Sequence, residues 1–132
     1  MDDIEPRRTT VVRPFGDLEA AVMQVLWDGD QPATVRDVLG RLQTPKPLAY
    51  TTVMTVLDNL HRKGEVVREM HGRAWSYAPV RSRAQHSAAL LQDVLQHAGD
   101  SQAVLMHFVA DLGPDEVSQL QQAVQAAQRS TP

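Results

Sequence analysis

Apolar residues recur in two different rhythms along this chain, and the change of rhythm falls at a glycine. From Ala49 to Lys63, Val53, Val56, Leu57 and Leu60 return at helical spacing. That spacing predicts a helix with these four side chains buried. Thr51, Met54, Thr55, Asp58 and Arg62 lie largely off that face, and Thr52 is at its border. Gly64 suits the helix stop, with Arg62 and Lys63 favourable in the last turn. Beyond it the pattern predicts two strands, about Val66–Met70 and Ala74–Ala78, joined by His71-Gly72-Arg73. Trp75 or Tyr77 is expected to cover the hairpin base.

Two helices are expected ahead of this segment. Asp17 can cap the first, whose apolar stripe is Leu18, Val22, Val25 and Leu26. Asp28-Gly29-Asp30-Gln31-Pro32 ends it. Thr34 with Asp37 forms a capping-box variant for a short second helix carrying Val35, Val38, Leu39 and Leu42. Pro45 and Pro47 are expected to close that helix and stiffen the connector. Residues 1–14 read as a flexible tail, acidic then basic with two prolines.

The C-terminal part reads as helical throughout. Ala84, Ala88, Leu91, Val94, Leu95 and Ala98 share one side of a helix, and Gly99 interrupts it. Asp100 or Ser101 can cap the next, with Val104, Leu105, Phe108 and Val109. Gly113-Pro114 precedes a last helix bearing Val117, Leu120, Val124 and Ala127. Three short helices with thin apolar faces make a poor core alone, whereas two copies together bury those faces. The expected organisation is therefore a tail over 1–14, a winged helix-turn-helix over 15–81 and a helical dimerisation region over 82–129. The fold class is mainly α with a small β-hairpin. The expected dimer contacts are Leu91, Val94, Leu95, Val104, Leu105, Phe108, Val117, Leu120 and Val124.

Charge sharpens this picture. The net charge is -3, which alone disfavours nucleic acid. Its distribution does not. Residues 1–34 hold three Arg against seven Asp or Glu, and residues 84–132 hold Arg129 against five acids. Residues 35–83 hold nine Lys or Arg against four acids, a net of +5. Only this block, the helix and hairpin included, suits phosphates.

Candidate DNA contacts follow. Thr51, Thr52 and Thr55, near the start of the third helix, can bond phosphates or bases, or act as ordinary caps. Met54 is an apolar base contact or a packing residue. Arg73 at the hairpin tip suits a phosphate or the minor groove, and Lys46 in the connector can reach the backbone. Arg62, Lys63 and Arg68 are weaker candidates.

Other chemistries do not assemble. With no cysteine there are no disulfides, thiol nucleophiles or Cys-ligated metals, which is compatible with a cytoplasmic setting. His61, His71, His86, His97 and His107 form no metal-binding spacing, and the last three lack an acidic partner at ligand spacing. No G-x-S-x-G setting or phosphate-binding glycine loop is present. No apolar run approaches the roughly 20 residues of a membrane span. No enzyme, metal or cofactor is expected. Two alternatives to a repressor stay open: a DNA-binding regulator released by a small ligand, and a protein-interaction module on the same fold.

Several stretches match a known pattern: Gly16-Asp17-Leu18-Glu19, Val22-Met23, Leu26-Trp27, Thr34-Val35-Arg36-Asp37-Val38, Ala49 through Leu57, Leu60 with Lys63-Gly64, and Tyr77-Ala78-Pro79. Across roughly Gly16 to Gln128 the chain resembles the BlaI/MecI family of penicillinase repressors, most of all its mycobacterial-type members. The resemblance implies a dimeric repressor on palindromic operator DNA, controlling β-lactamase or related resistance genes. It implies base and phosphate contacts for Thr51, Thr52 and Thr55, and a wing contact for Arg73. In staphylococcal and bacillary members a membrane-bound sensor detects β-lactam and the repressor is cut at an Asn-Phe bond. The equivalent bond here is His107-Phe108. Copper-responsive relatives carry a C-terminal cysteine pair that this chain lacks.

Overall fold

A computed structural model describes residues 15–130, so the tail expected over 1–14 lies outside the described residues. Along the chain run α1 (Asp17–Asp28), β1 (Ala33–Thr34), α2 (Val35–Arg41), α3 (Tyr50–Arg62), β2 (Val66–His71), β3 (Ala74–Pro79), α4 (Arg83–Gln96), α5 (Ser101–Ala110) and α6 (Pro114–Ser130). The chain divides into two compact units, through Leu90 and from Leu91 onward.

The first unit is a winged helix. Its three strands form an antiparallel sheet in the order β1-β3-β2. Ala33 pairs with Tyr77, and β2 pairs with β3 from Val66–Pro79 to His71–Ala74. The hairpin was expected, but β1 was not. Two residues are too few to show strand alternation. Core side chains come from every element: Val22, Met23 and Leu26 on α1, Ala33 and Val35, Val38 on α2, Val53, Leu57 and Leu60 on α3, then Val66 and Tyr77. Tyr77, rather than Trp75, covers the hairpin base. Val56 packs only partly buried against this core. The fully buried Met23 was missing from the expected stripe, which had followed a narrower face of α1.

Local chemistry sets the element ends. Asp17 is not the cap of α1; it is already the first helical residue. Gly16 precedes it, and Glu19 Oε1 accepts the Gly16 N–H at 3.2 Å. Thr34 does cap α2, its hydroxyl accepting from Asp37 N while the Asp37 carboxylate accepts from Thr34 N, both at 3.1 Å. Helix α2 ends at Arg41, with Leu42 already extended, so Pro45 and Pro47 shape only the connector. At the end of α3 the Gly64 N–H reaches His61 O and the Glu65 N–H reaches Leu60 O. This paired closure needs Gly64 at φ +80°. His71 belongs to β2, leaving Gly72 and Arg73 as a two-residue turn. Positive φ at Gly72 but not at Arg73 matches a type II′ hairpin turn.

Helix α4 begins with a reciprocal cap: Ser82 Oγ accepts from Gln85 N, and Gln85 Oε1 accepts from Ser82 N. Asp100, not Ser101, caps α5 through Ala103 N. In α5 and α6 no residue is buried.

Candidate nucleic-acid interface

Helix α3 presents two unlike faces. Val53, Leu57 and Leu60 are wholly buried, which fixes the helix about its own axis. Thr51, Met54 and Thr55 are consequently exposed, and Thr52 stands half-buried at the border. The residue capping α3 is Ala49, whose carbonyl accepts from Thr52 N and Val53 N. The hydroxyls of Thr51, Thr52 and Thr55 have no hydrogen-bond partner among the described residues. They are not caps, and they remain available to an outside ligand.

The basic residues sort by what already holds them. Arg73, at the wing turn, is exposed and has no ion pair among the described residues. Lys46 is also exposed; Thr44 Oγ1 donates to its carbonyl at 2.6 Å and so shapes the connector. Arg62 is engaged within its own helix, by Asn59 Oδ1 and by Asp58 Oδ2 at 3.5 Å. Lys63 bonds Glu19 at 2.6 Å, tying the end of α3 to α1. Arg68 meets Asp58 at 3.4 Å.

Burial alone would raise the Glu19 pKa. The Lys63 hydrogen bond, the Gly16 N–H and the Lys63 charge outweigh it and hold the carboxyl below its usual value. Asp37 is likewise lowered, chiefly by the Thr34 N–H and then by the Thr34 hydroxyl.

Two features escaped the reading of the sequence. Arg36, in the first turn of α2, holds its guanidinium 5.8 Å from the Tyr50 ring at the start of α3. The two lie far apart in sequence, and only the α2–α3 packing brings them together. His86 is buried, stacked on Phe15 at 4.3 Å, with Trp27 at 5.7 Å. Its Nδ1 lies 3.9 Å from Glu65 Oε1, and Asp93 lies 3.3 Å from His97. The expectation that these histidines lack acidic neighbours is thus corrected: sequence spacing does not register carboxylates brought in by folding or one helical turn away. Among the described residues no three His, Cys, Asp or Glu side chains form a metal-sized group.

A buried-faced helix with free hydroxyls, beside a wing whose arginine has no ion pair among the described residues, is the arrangement that a winged-helix DNA-binding regulator uses. The chain belongs to the penicillinase repressor family, whose model matches residues 15–126. Its identity to the transcriptional regulator BlaI of Mycobacterium tuberculosis (strain ATCC 25618 / H37Rv) is 47% over 113 residues, covering 83% of this chain and 82% of the relative. The BlaI protein of strain CDC 1551 / Oshkosh gives the same figures. Among solved structures, MepR, a transcription regulator of the Staphylococcus aureus multidrug efflux pump MepA, aligns with TM-score 0.45 at 15% identity. That alignment covers 97% of this chain and 85% of MepR. A MarR-like transcriptional regulator from Thermotoga maritima aligns with TM-score 0.42 at 16% identity, covering 98% and 96%. The family is one of transcriptional repressors, not of enzymes.

Proposed function

We propose that this chain is a homodimeric repressor that reads palindromic operator DNA with α3 and grips the backbone with the wing, controlling β-lactamase or related resistance genes. The observation that carries the reading is the exposed face of Thr51, Met54 and Thr55 on α3, with both threonine hydroxyls unbonded among the described residues, while the opposite face of the helix is locked in the core. Thr51, Thr52, Met54 and Thr55 are the groove-facing set. Arg73 and Lys46 bind phosphates, and Arg62 joins them by exchanging its internal partners.

Dimerisation supplies the two-fold symmetry a palindrome requires. In a single copy of the chain Leu91, Val94, Leu105, Phe108, Leu120 and Val124 are all exposed, and Leu95, Val104 and Val117 are only partly covered. A second copy is their natural cover. Among the described residues no helix is long and apolar enough to cross a membrane. The protein works where the chromosome is, in the cytoplasm. Release is assigned to a membrane-bound sensor protease acting upstream. The bond equivalent to the family's cut, His107–Phe108, lies inside α5 with both side chains exposed.

The test is selection of genomic fragments by the purified protein, followed by titration of the best fragment across a salt series. A specific, salt-sensitive complex is expected. Thr55→Ala changes base preference, whereas Arg73→Ala weakens all sequences alike and lowers the salt slope by about 0.9. A folded dimer that enriches no fragment refutes the reading.

A further inference from the structure

We propose that Arg68 is a positioning residue: clamped between Asp58 and Trp75, it braces the wing against the reading helix and so aims Arg73. The inference rests on the DNA-binding reading above.

Hairpin register places the parts. Arg68 pairs with Tyr77 and Met70 with Trp75, so Arg68 and Trp75 are diagonal neighbours on one face of the hairpin. That is the face whose root, Val66 and Tyr77, is buried in the core. The Arg68 guanidinium carbon sits 4.2 Å from the centre of the Trp75 ring. Its Nη1 meets Asp58 Oδ1 at 3.4 Å, and Asp58 belongs to α3. One guanidinium therefore touches both the wing and the reading helix. Arg73, in the turn that opens this arm, lies two residues before Trp75.

Charge supports positioning over direct phosphate binding. Arg68 is only 25% exposed, its charge faces a carboxylate and its guanidinium carbon lies over an indole. Arg73 has none of these partners. Arg68 thus holds a carboxylate on α3 and an indole on the wing at the same time. The flat, delocalised guanidinium suits this double task, since it stacks and forms an ion pair together.

A double-mutant cycle on operator affinity tests the assignment, with each variant titrated across salt. Arg68→Ala is expected to weaken binding up to about tenfold, and no more than Arg73→Ala does. The double variant should match Arg73→Ala, with a total slope loss of about 0.9, because both substitutions remove the same contact. Additive losses with a slope change of about 1.8 would make Arg68 a phosphate contact itself and overturn the inference. Acrylamide quenching of Trp75, isolated by difference from Trp75→Phe, gives a readout without DNA. Arg68→Ala should raise quenching at an unchanged melting temperature, and unchanged quenching also overturns the brace. A wild-type dimer that binds no operator while Arg68→Ala still exposes Trp75 sinks the DNA reading and leaves the brace standing.

Discussion

Helices α3 and α5 both carry several large apolar side chains, yet they use them differently. In α3, Val53, Leu57 and Leu60 are completely buried by other elements of the same chain. In α5, Leu105 is 45% exposed and Phe108 49% exposed, and no residue of α5 or α6 is buried. The first unit satisfies its own hydrophobic demand, whereas the second presents its demand outward. Burial of apolar area is the main favourable term in folding. The second unit therefore lacks, within one chain, the term that stabilises the first. In the proposed dimer a partner copy supplies it, and the stability of that unit should then depend on protein concentration.

One substitution in each helix can break this contrast. Leu57→Ala removes a fully packed side chain from the first unit and should cost about 2–5 kcal/mol, read as a lower urea midpoint at any protein concentration. Phe108→Asp falls on an exposed position and should barely disturb the folding of an isolated chain, by about 0.5 kcal/mol. Its main effect should be on assembly, with sedimentation showing a dimer for the wild type and a monomer for the variant. If Phe108→Asp leaves the dimer intact, the outward face of α5 has another purpose. If Leu57→Ala proves as mild as a surface change, α3 is not anchored as its burial implies.

Legibility in the sequence follows the same division. The buried stripe of α3, its glycine stop and the hairpin were readable because each is a local pattern of period 3.6, a positive-φ requirement or a period of two. The free threonines followed, since a locked face determines the open one. What stayed hidden depends on residues far apart in the chain. Trp27 donates its indole N–H to Arg81 O, and Phe15 stacks on His86. Asp58 and Arg68 were visible only as separate charges, though folding makes them one brace. The second unit's apolar stripes were legible, but a stripe names a face and not its cover. Strand β1 left no trace because it is two residues long and borrows its order from β3.

The smallest expected effect sharpens the comparison at the edge of the first unit. Lys63 and Glu19 join the end of α3 to α1 at 2.6 Å, and the Glu19 carboxyl is held below its ordinary value of 4.5. A depressed folded pKa means the unfolded chain takes up the proton first. The stability from Glu19 is thus fully present above about pH 5 and lost as pH falls through the folded value. Lys63 is 56% exposed, so solvent screening limits the pair to a few tenths of a kcal/mol, at most about 1. Urea midpoints at about pH 3.5 and pH 6.5 should differ less in Glu19→Gln than in the wild type. The remaining difference should include Asp37, whose cap shifts it in the same direction. An unchanged gap in Glu19→Gln would mean that α1 and α3 are held together by Val22, Met23, Leu57 and Leu60 alone. The ion pair would then fix the Lys63 side chain without adding to the fold.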